Sequence, residues 1–400
     1  MSATPQATIA ALDAIAGDGF AGDEVGRLAV VAAARRLLTR LQTPSEQAWG
    51  YMFNHAVIFA SIQTLRDIGL WEAWTAAGAG EKTVDELVKL ANTFIQPDLL
   101  RRLLRLLAAA GVITEVGEDK YTTTPFSTRL GSDLGLLIQC GTDHYNPAAL
   151  AFPSFLKQTG YVAPTHTKHT PYSEMHTNPN HLEFFARMQT DPNLYASFSG
   201  HMADWTRYKP DWTTIIDTGA LLATANLAEG PFVVDMSGHF GVDISRVLEK
   251  HPDLPAGSLV LQDLPEVISA VKTGSKVDPK MIKPMAFDLF KPQPVANSRA
   301  YFMHAVLHDW PDQQALEILE NLKPAMKRGY SKLLICDIVI PPAGASLAQT
   351  VMDVSVMGIL AAKERAQADW TELLTRGGFT GIKFHPDGRG HECVIEADLA

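Results

Sequence analysis

The chain has 400 residues, of which 46% are hydrophobic, and a formal net charge of −10; the length suggests two domains with an added segment, and the acidic balance argues against a nucleic-acid backbone as partner. Cys140, Cys336 and Cys393 form neither a metal pattern nor a disulfide framework. The N-terminal stretch lacks the basic region of a secretory signal and no apolar run is long enough to span a bilayer, so a soluble cytoplasmic protein is expected.

Residues 24–42, EVGRLAVVAAARRLLTRLQ, give one helical pattern. Residues 45–67 give a second, apolar on more than one face, with Met52, Phe53, Val57, Ile58, Phe59, Ile62 and Leu65. A helix apolar nearly all round must be buried on several sides, against a second subunit or within the monomer. TVDELVKLA follows, with Thr83 and Glu86 at capping-box spacing. Then come QPDLLRRLLRLLAAAG, amphipathic and ending at Gly111, and VITEVGEDKYTTT, two short strands around a polar turn. Helix, helix, hairpin is the winged-helix order. A DNA reader would expose Arg101, Arg102 and Arg105 from the second helix, but the acidic total favours a structural winged helix. These elements make up a first region, residues 1–130.

Residues 131–225 read as a helical linker and pocket or lid segment. Its loop TGYVAPTHTKHTPYSEMHTNPN carries His166, His169 and His176, but a zinc site wants a fourth ligand and tighter spacing, so no metal is expected. Phe184, Phe185, Met188, Tyr195, Phe198, Met202 and Trp205 follow at helical spacing. They read as a core stripe, from which Phe185 and Met188 are candidates for lining a substrate pocket.

From residue 226 to 400 strands and helices alternate, through PFVVDM, DISRVLEKH, SLVLQDLP, MIKPMAFDLF and RAYFMHAVLHDW to GIKFHPD and ECVIEAD. The alternation predicts an α/β domain with a mostly parallel, Rossmann-like sheet, whose ligands bind at the carboxyl ends of the strands. Asp235, Asp263, Asp288 and His308 are all predicted there, with RAYFMHAVLHDW running out as a strand to His308 and Asp309. Asp263 suits ribose hydroxyls and Asp288 an adenine edge. His308 suits a general base near neutral pH, and Asp337 and Glu364 are placed to flank it, orienting it and raising its basicity.

VLQDLPEVI, FDLF, HAVLHDWPD, LLICDIVIP and AAKER followed by DWTELLTRGGF occur in an order that resembles fungal class I O-methyltransferases of the plant caffeate-methyltransferase type, over nearly the whole chain. The resemblance implies a winged-helix region that forms a homodimer through its N-terminal helices, and a C-terminal S-adenosylmethionine (SAM) domain. It also implies His308 as base, Asp337 and Glu364 as its supporting acids, and Asp263 and Asp288 as cofactor-binding acids.

The loop after Asp235 departs from the family's Gly-x-Gly-x-Gly, reading Ser237-Gly238-His239-Phe240-Gly241. Glycines there allow positive φ and close approach to a ligand. Histidine at 239 puts an imidazole where the methionine part of SAM should pass. His304, where plant relatives carry lysine, is a second departure; with Phe185, Met188 and Met357 it is a pocket candidate.

Two mechanisms follow. One is SAM-dependent methylation of a phenolic or enolic hydroxyl, with His308 as base. The altered loop favours the other, which resembles the fungal O-methyltransferase-like pericyclases of polyketide and pyridone pathways. These dehydrate or cyclise a small apolar or aromatic substrate by folding and hydrogen bonding, with no methyl donor. The retained histidine and acids argue against a third class, a non-catalytic binding protein.

Overall fold

The structure is a computed structural model that describes residues 4–208, 211–274, 277–390 and 392–400. The chain divides into two compact units, one up to Ser61 and one from Ile62 onward. In the first, Asp23 and Thr43 side chains accept hydrogen bonds from the otherwise unsatisfied amides of the helices Glu24–Leu41 and Pro44–Trp49. A π-turn, Gly50–Asn54, leads into the helix His55–Asp67. Side chains expected to be buried are open here: Met52, Phe53 and Val57 are 64%, 41% and 48% exposed, and Trp49 beside them is 60% exposed. Later in the same helix Ile62 and Leu65 are buried.

In the second unit, after the end of the helix His55–Asp67 and the short helix Leu70–Ala76, comes the expected helix, helix and hairpin. The Thr83–Glu86 capping box starts the helix Val84–Leu90. Leu100, Leu104 and Leu107, spaced on one face of the helix Pro97–Ala109, are fully buried. Strands β1 (Lys82–Thr83), β2 (Ile113–Gly117) and β3 (Lys120–Thr123) form an antiparallel sheet in the order β1-β3-β2. At two residues, β1 is too short for an alternating pattern to signal it. The Arg101 Nε lies 2.9 Å from both carboxylate oxygens of Asp119, in the hairpin turn, and Arg105 approaches that acid at 3.5 Å. These two guanidiniums tie the hairpin to its helix.

The C-terminal strands are β4 (Val233–Met236), β5 (Leu259–Asp263), β6 (Ile282–Ala286), β7 (Ala300–His304), β8 (Lys332–Asp337), β9 (Val339–Ile340), β10 (Arg365–Ala366), β11 (Phe379–Pro386) and β12 (Cys393–Leu399). All but β9 and β10 form one seven-stranded sheet, β11-β12-β8-β7-β4-β5-β6, in which β12 runs antiparallel to both of its neighbours and the remaining pairs are parallel. Successive residues feed opposite cores: Val234, Tyr301 and Leu333 one, Val233, Phe302 and Leu334 the other. Each large apolar side chain so buried contributes roughly 1.5–3 kcal/mol. All four residues of β4 are buried, as a central strand covered on both faces requires. The strand order reverses about β4, and the crevice at such a reversal admits a ligand.

One strand is shorter than the sequence suggests. β7 ends at His304, Ala305 takes φ +52°, and His308 lies beyond the sheet in a single 3-10 turn, Leu307–Asp309. A left-handed residue cannot continue an extended ladder. His308 is therefore positioned by whatever holds that turn. Among the described residues, no helix is long and apolar enough to cross a membrane.

Candidate active site

The turn after β4 keeps the shape of a glycine loop without all of its glycines. Ser237, His239 and Gly241 take φ +65°, +49° and +74°, a geometry that costs a non-glycine residue roughly 1–2 kcal/mol. Packing explains which glycines remain. A Cβ on Gly238 would lie 2.3 Å from Asp235 Oδ2, and one on Gly241 would lie 2.6 Å from a Val277 methyl. Ser237 and His239 instead border a cavity. The Ser237 and Gly238 amides donate to the Gln262 carbonyl at 2.8 and 3.1 Å, His239 to Asp263 Oδ2 at 2.8 Å, and Gly241 to the Gly238 carbonyl at 2.8 Å. These amides close the turn instead of cradling a phosphate, unlike those of a nucleotide-binding loop. Beneath them Asp235 is 1% exposed, and its Oδ2 has no hydrogen-bond partner among the described residues. Burial, then Asp243, hold its carboxyl well above the usual range against the opposing pull of His304.

The cavity measures about 490 Å³ and reaches from Ser237 and His239 to Asp263, Asp288 and His304. Asp263 also accepts from the Leu264 amide at 2.7 Å, yet burial raises its pKa to about 6. Asp288 accepts from the Phe290 amide at 2.9 Å. The His239 ring packs edge-on to Phe240, centroids 4.2 Å apart, and meets Ser199 Oγ at 3.4 Å. Burial lowers its pKa to about 4, which makes it a neutral wall. The imidazole expected beside the loop borders this cavity. The residues present fit SAM in kind, with two strand-end carboxylates facing an open cleft. His304, expected to face substrate, is held from both sides: Nδ1 is 2.6 Å from Asp243 Oδ2 and Nε2 is 3.2 Å from Glu392 Oε2.

A smaller chamber adjoins this cavity, with Phe198, Met202, Ala305 and Asp309 bordering both. His308 stands in its wall. Nδ1 is 2.8 Å from Glu364 Oε1 and 3.4 Å from Asp337 Oδ1, while Nε2 is 3.3 Å from Asp309 Oδ1. Asp337 ends β8, and the parallel β9–β10 pairing of Val339 with Arg365 draws Glu364 alongside it. Burial alone would lower the His308 pKa; Asp337, then Glu364 and Asp309, outweigh it and raise the pKa to about 10. The ring is therefore a cation at neutral pH. Fully buried Arg365 clamps the turn. It donates to the Leu307 carbonyl at 2.7 Å, the Trp310 carbonyl at 2.9 Å and Asp312 Oδ1 at 2.7 and 3.0 Å.

The predicted residues thus separate into groups. His308, Asp337 and Glu364 meet. Asp263, Asp288, His304, Phe185 and Met188 border the larger cavity, with Phe185 stacked on Trp310 at 5.7 Å. Met357 is not among the residues bordering the chamber. The helix Leu347–Leu360 turns Met352, Val356, Ile359 and Leu360 toward it, and the residue after Val356 is rotated by about 100°. Sequence reasoning missed Asp309 as a neighbour of His308, the clamp Arg365, and Tyr145 and His201 of the chamber wall. Arg365 stood next to a predicted acid, which was the available signal. Tyr145 and His201 carried none.

Residues 162–380 match the model of an O-methyltransferase domain. The chain is 39% identical to the O-methyltransferase ATR12 of Stachybotrys chlorohalonatus (strain IBT 40285), with 100% of both chains covered. Among solved structures it resembles LepI in complex with SAM, at 26% identity and a TM-score of 0.89, covering 99% of this chain and 100% of that one. It also resembles a pericyclic reaction enzyme, at 27% identity and a TM-score of 0.89, covering 98% and 99%.

Proposed function

The chain belongs to the O-methyltransferase family and has the class I SAM-methyltransferase fold, and from that premise we propose that it is a SAM-dependent O-methyltransferase of fungal secondary metabolism acting on an acidic phenolic or enolic hydroxyl. The observation that carries this reading is that the cavity beside the Asp235–Gly241 loop adjoins the His308 chamber, with Phe198, Met202, Ala305 and Asp309 lining both. SAM, when bound, supplies an electrophilic methyl group on a sulfonium. Asp263 and Asp288 would hold its ribose hydroxyls and adenine edge. The substrate binds as its phenolate or enolate, its proton already lost to solvent, and the His308 imidazolium donates from Nε2 to that oxygen, replacing its contact with Asp309, which favours substrates that give up their proton readily. Asp337 and Glu364 keep the ring oriented and charged. The apolar chamber wall excludes water and holds the oxygen facing the larger cavity.

Likeness to a pericyclic reaction enzyme, together with Ser237 and His239 in the loop, favours a second reading. The same cation would polarise a carbonyl or leaving hydroxyl of a polyketide or pyridone and promote dehydration and cyclisation without methyl transfer. Calorimetric titration with SAM, then assay of methyl transfer to a panel of polyketide phenols and enols, separates the two. Micromolar binding with methylated product supports the proposal. Binding without methylated product, alongside turnover of a dehydration-prone pyridone alcohol, would replace it with the second reading, and lack of SAM binding rejects it.

The exposed Trp49, Met52 and Val57 support a homodimer formed through the N-terminal helices; a monomeric mass by light scattering across the micromolar range would reject that. Cys140, Cys336 and Cys393 are buried thiols, in keeping with a cytoplasmic place of action.

A further inference from the structure

Among the mostly apolar side chains of the His308 chamber stand four polar ones. His308 and Asp309 come from the turn after β7. Tyr145, at the end of the π-turn Gly141–Tyr145, and His201, on the helix Pro192–Tyr208, come from the helical segment. The Tyr145 hydroxyl lies 3.5 Å from His201 Nε2, the outer limit of a hydrogen bond, and the two rings meet edge to face at 5.7 Å. Burial, with Cys140 and Asp309 adding to it, holds the phenol well above its ordinary range. It is thus a neutral hydroxyl close enough to Asp309 to feel that charge. The chamber therefore has two polar poles: a cation beside Asp309, and a hydroxyl whose contact with its imidazole partner is slack. A ligand oxygen would tighten the second pole by accepting from Tyr145. A ligand without one would leave that buried hydroxyl poorly matched, which is the stronger discrimination.

We propose that Tyr145, supported by His201, is a specificity-determining subsite for a second substrate oxygen, a carbonyl or hydroxyl on the same ring or enol system as the oxygen held at His308. The substrate class is then a dioxygenated phenol or an enolised dicarbonyl. The inference rests on the reading of His308 as the group that holds the reacting oxygen.

Calorimetry of the full chain with 4-hydroxy-6-methyl-2-pyrone, an acidic enol that also carries a ring carbonyl, and with phenol tests it. Tyr145→Phe should weaken pyrone binding about 5- to 10-fold, the effect of one lost hydrogen bond, and leave phenol binding unchanged or tighter, since the unmatched hydroxyl is gone. Equal weakening of both probes, or of neither, overturns the subsite, as does wild-type protein that binds neither. A melting temperature within a few degrees of wild type shows that the variant folds. Should it not fold, His201→Gln with the same two probes carries the test, with a smaller selective loss expected. Absent methyl transfer with the probe discrimination intact would sink the O-methyltransferase reading and leave the subsite standing. Methyl transfer without discrimination sinks the subsite alone.

Discussion

The loop after β4 and the turn after β7 follow neighbouring strands of one sheet, yet they hold their shapes by opposite means. In the loop the backbone does the holding. Amides of residues 237, 238 and 241 close onto the Gln262 and Gly238 carbonyls, with one side-chain acceptor, Asp263, for the amide of 239, so Ser237 and His239 can stand in glycine conformations with their side chains bordering a cavity. In the turn distant side chains do it. Arg365 grips the Leu307 and Trp310 carbonyls, and Asp337 and Glu364 reach His308 from other strands. A backbone-held loop tolerates exchange of the residues that face its cavity. A side-chain-held turn depends on each of its partners.

The comparison breaks most visibly at the turn. His308→Ala should lower kcat about 10²- to 10³-fold in protein that melts normally; turnover within a few-fold of wild type would reject its assignment. Next comes Arg365→Met, which strips the donors from two buried carbonyls. It should lose about 1–3 kcal/mol for each carbonyl left unsatisfied, read from denaturant midpoints, and lose turnover in the fraction that stays folded. A fully stable, fully active variant would show that the clamp is dispensable.

Asp337→Asn and Glu364→Gln sharpen the electrostatic half. The folded pKa of His308, about 10, lies above the ordinary value of about 6.5. Its contribution to stability is therefore complete below about pH 6.5 and is lost as pH rises through about 10. Both acids raise that pKa, so either variant should move the alkaline limb of kcat/KM downward by about one unit or more. A limb that stays in place would mean another group titrates there.

At the loop the expected effects are smaller. His239→Gly should change the SAM Kd by less than about threefold, because the ring is a wall of the cavity; tightening of tenfold or more, about 1.4 kcal/mol, would mean that the ring obstructs the cofactor. The least effect is in acid. His239 and His144 are buried with pKa values of about 4. The unfolded chain takes up protons at these residues first as pH falls below about 6.5, and stability should decline from there to about pH 4. His239→Gly should flatten part of that decline in pH-dependent melting.

The strand and helix alternation, the carboxylates at the ends of β4 and β5, and the ordered motifs that carry the family are all legible in the order of the residues. Alternation and helical spacing are properties of residues close in the chain, where side-chain direction follows directly from backbone period. The association of His308 with Asp337 and Glu364 was also legible, through the motif resemblance. Only the tertiary structure decided that His308 leaves its strand at Ala305, that three carboxylates make it a cation, that Arg365 anchors its turn, and that the His239 ring lies along the cavity wall. It also decided that Met352 and Val356, not Met357, face the chamber, and that Tyr145 meets His201 there. These outcomes depend on contacts between residues tens to more than a hundred positions apart, or on the rotation of a helix buried on several faces. Such contacts are set by how whole elements pack and by which charges are desolvated together, and no local periodicity records either.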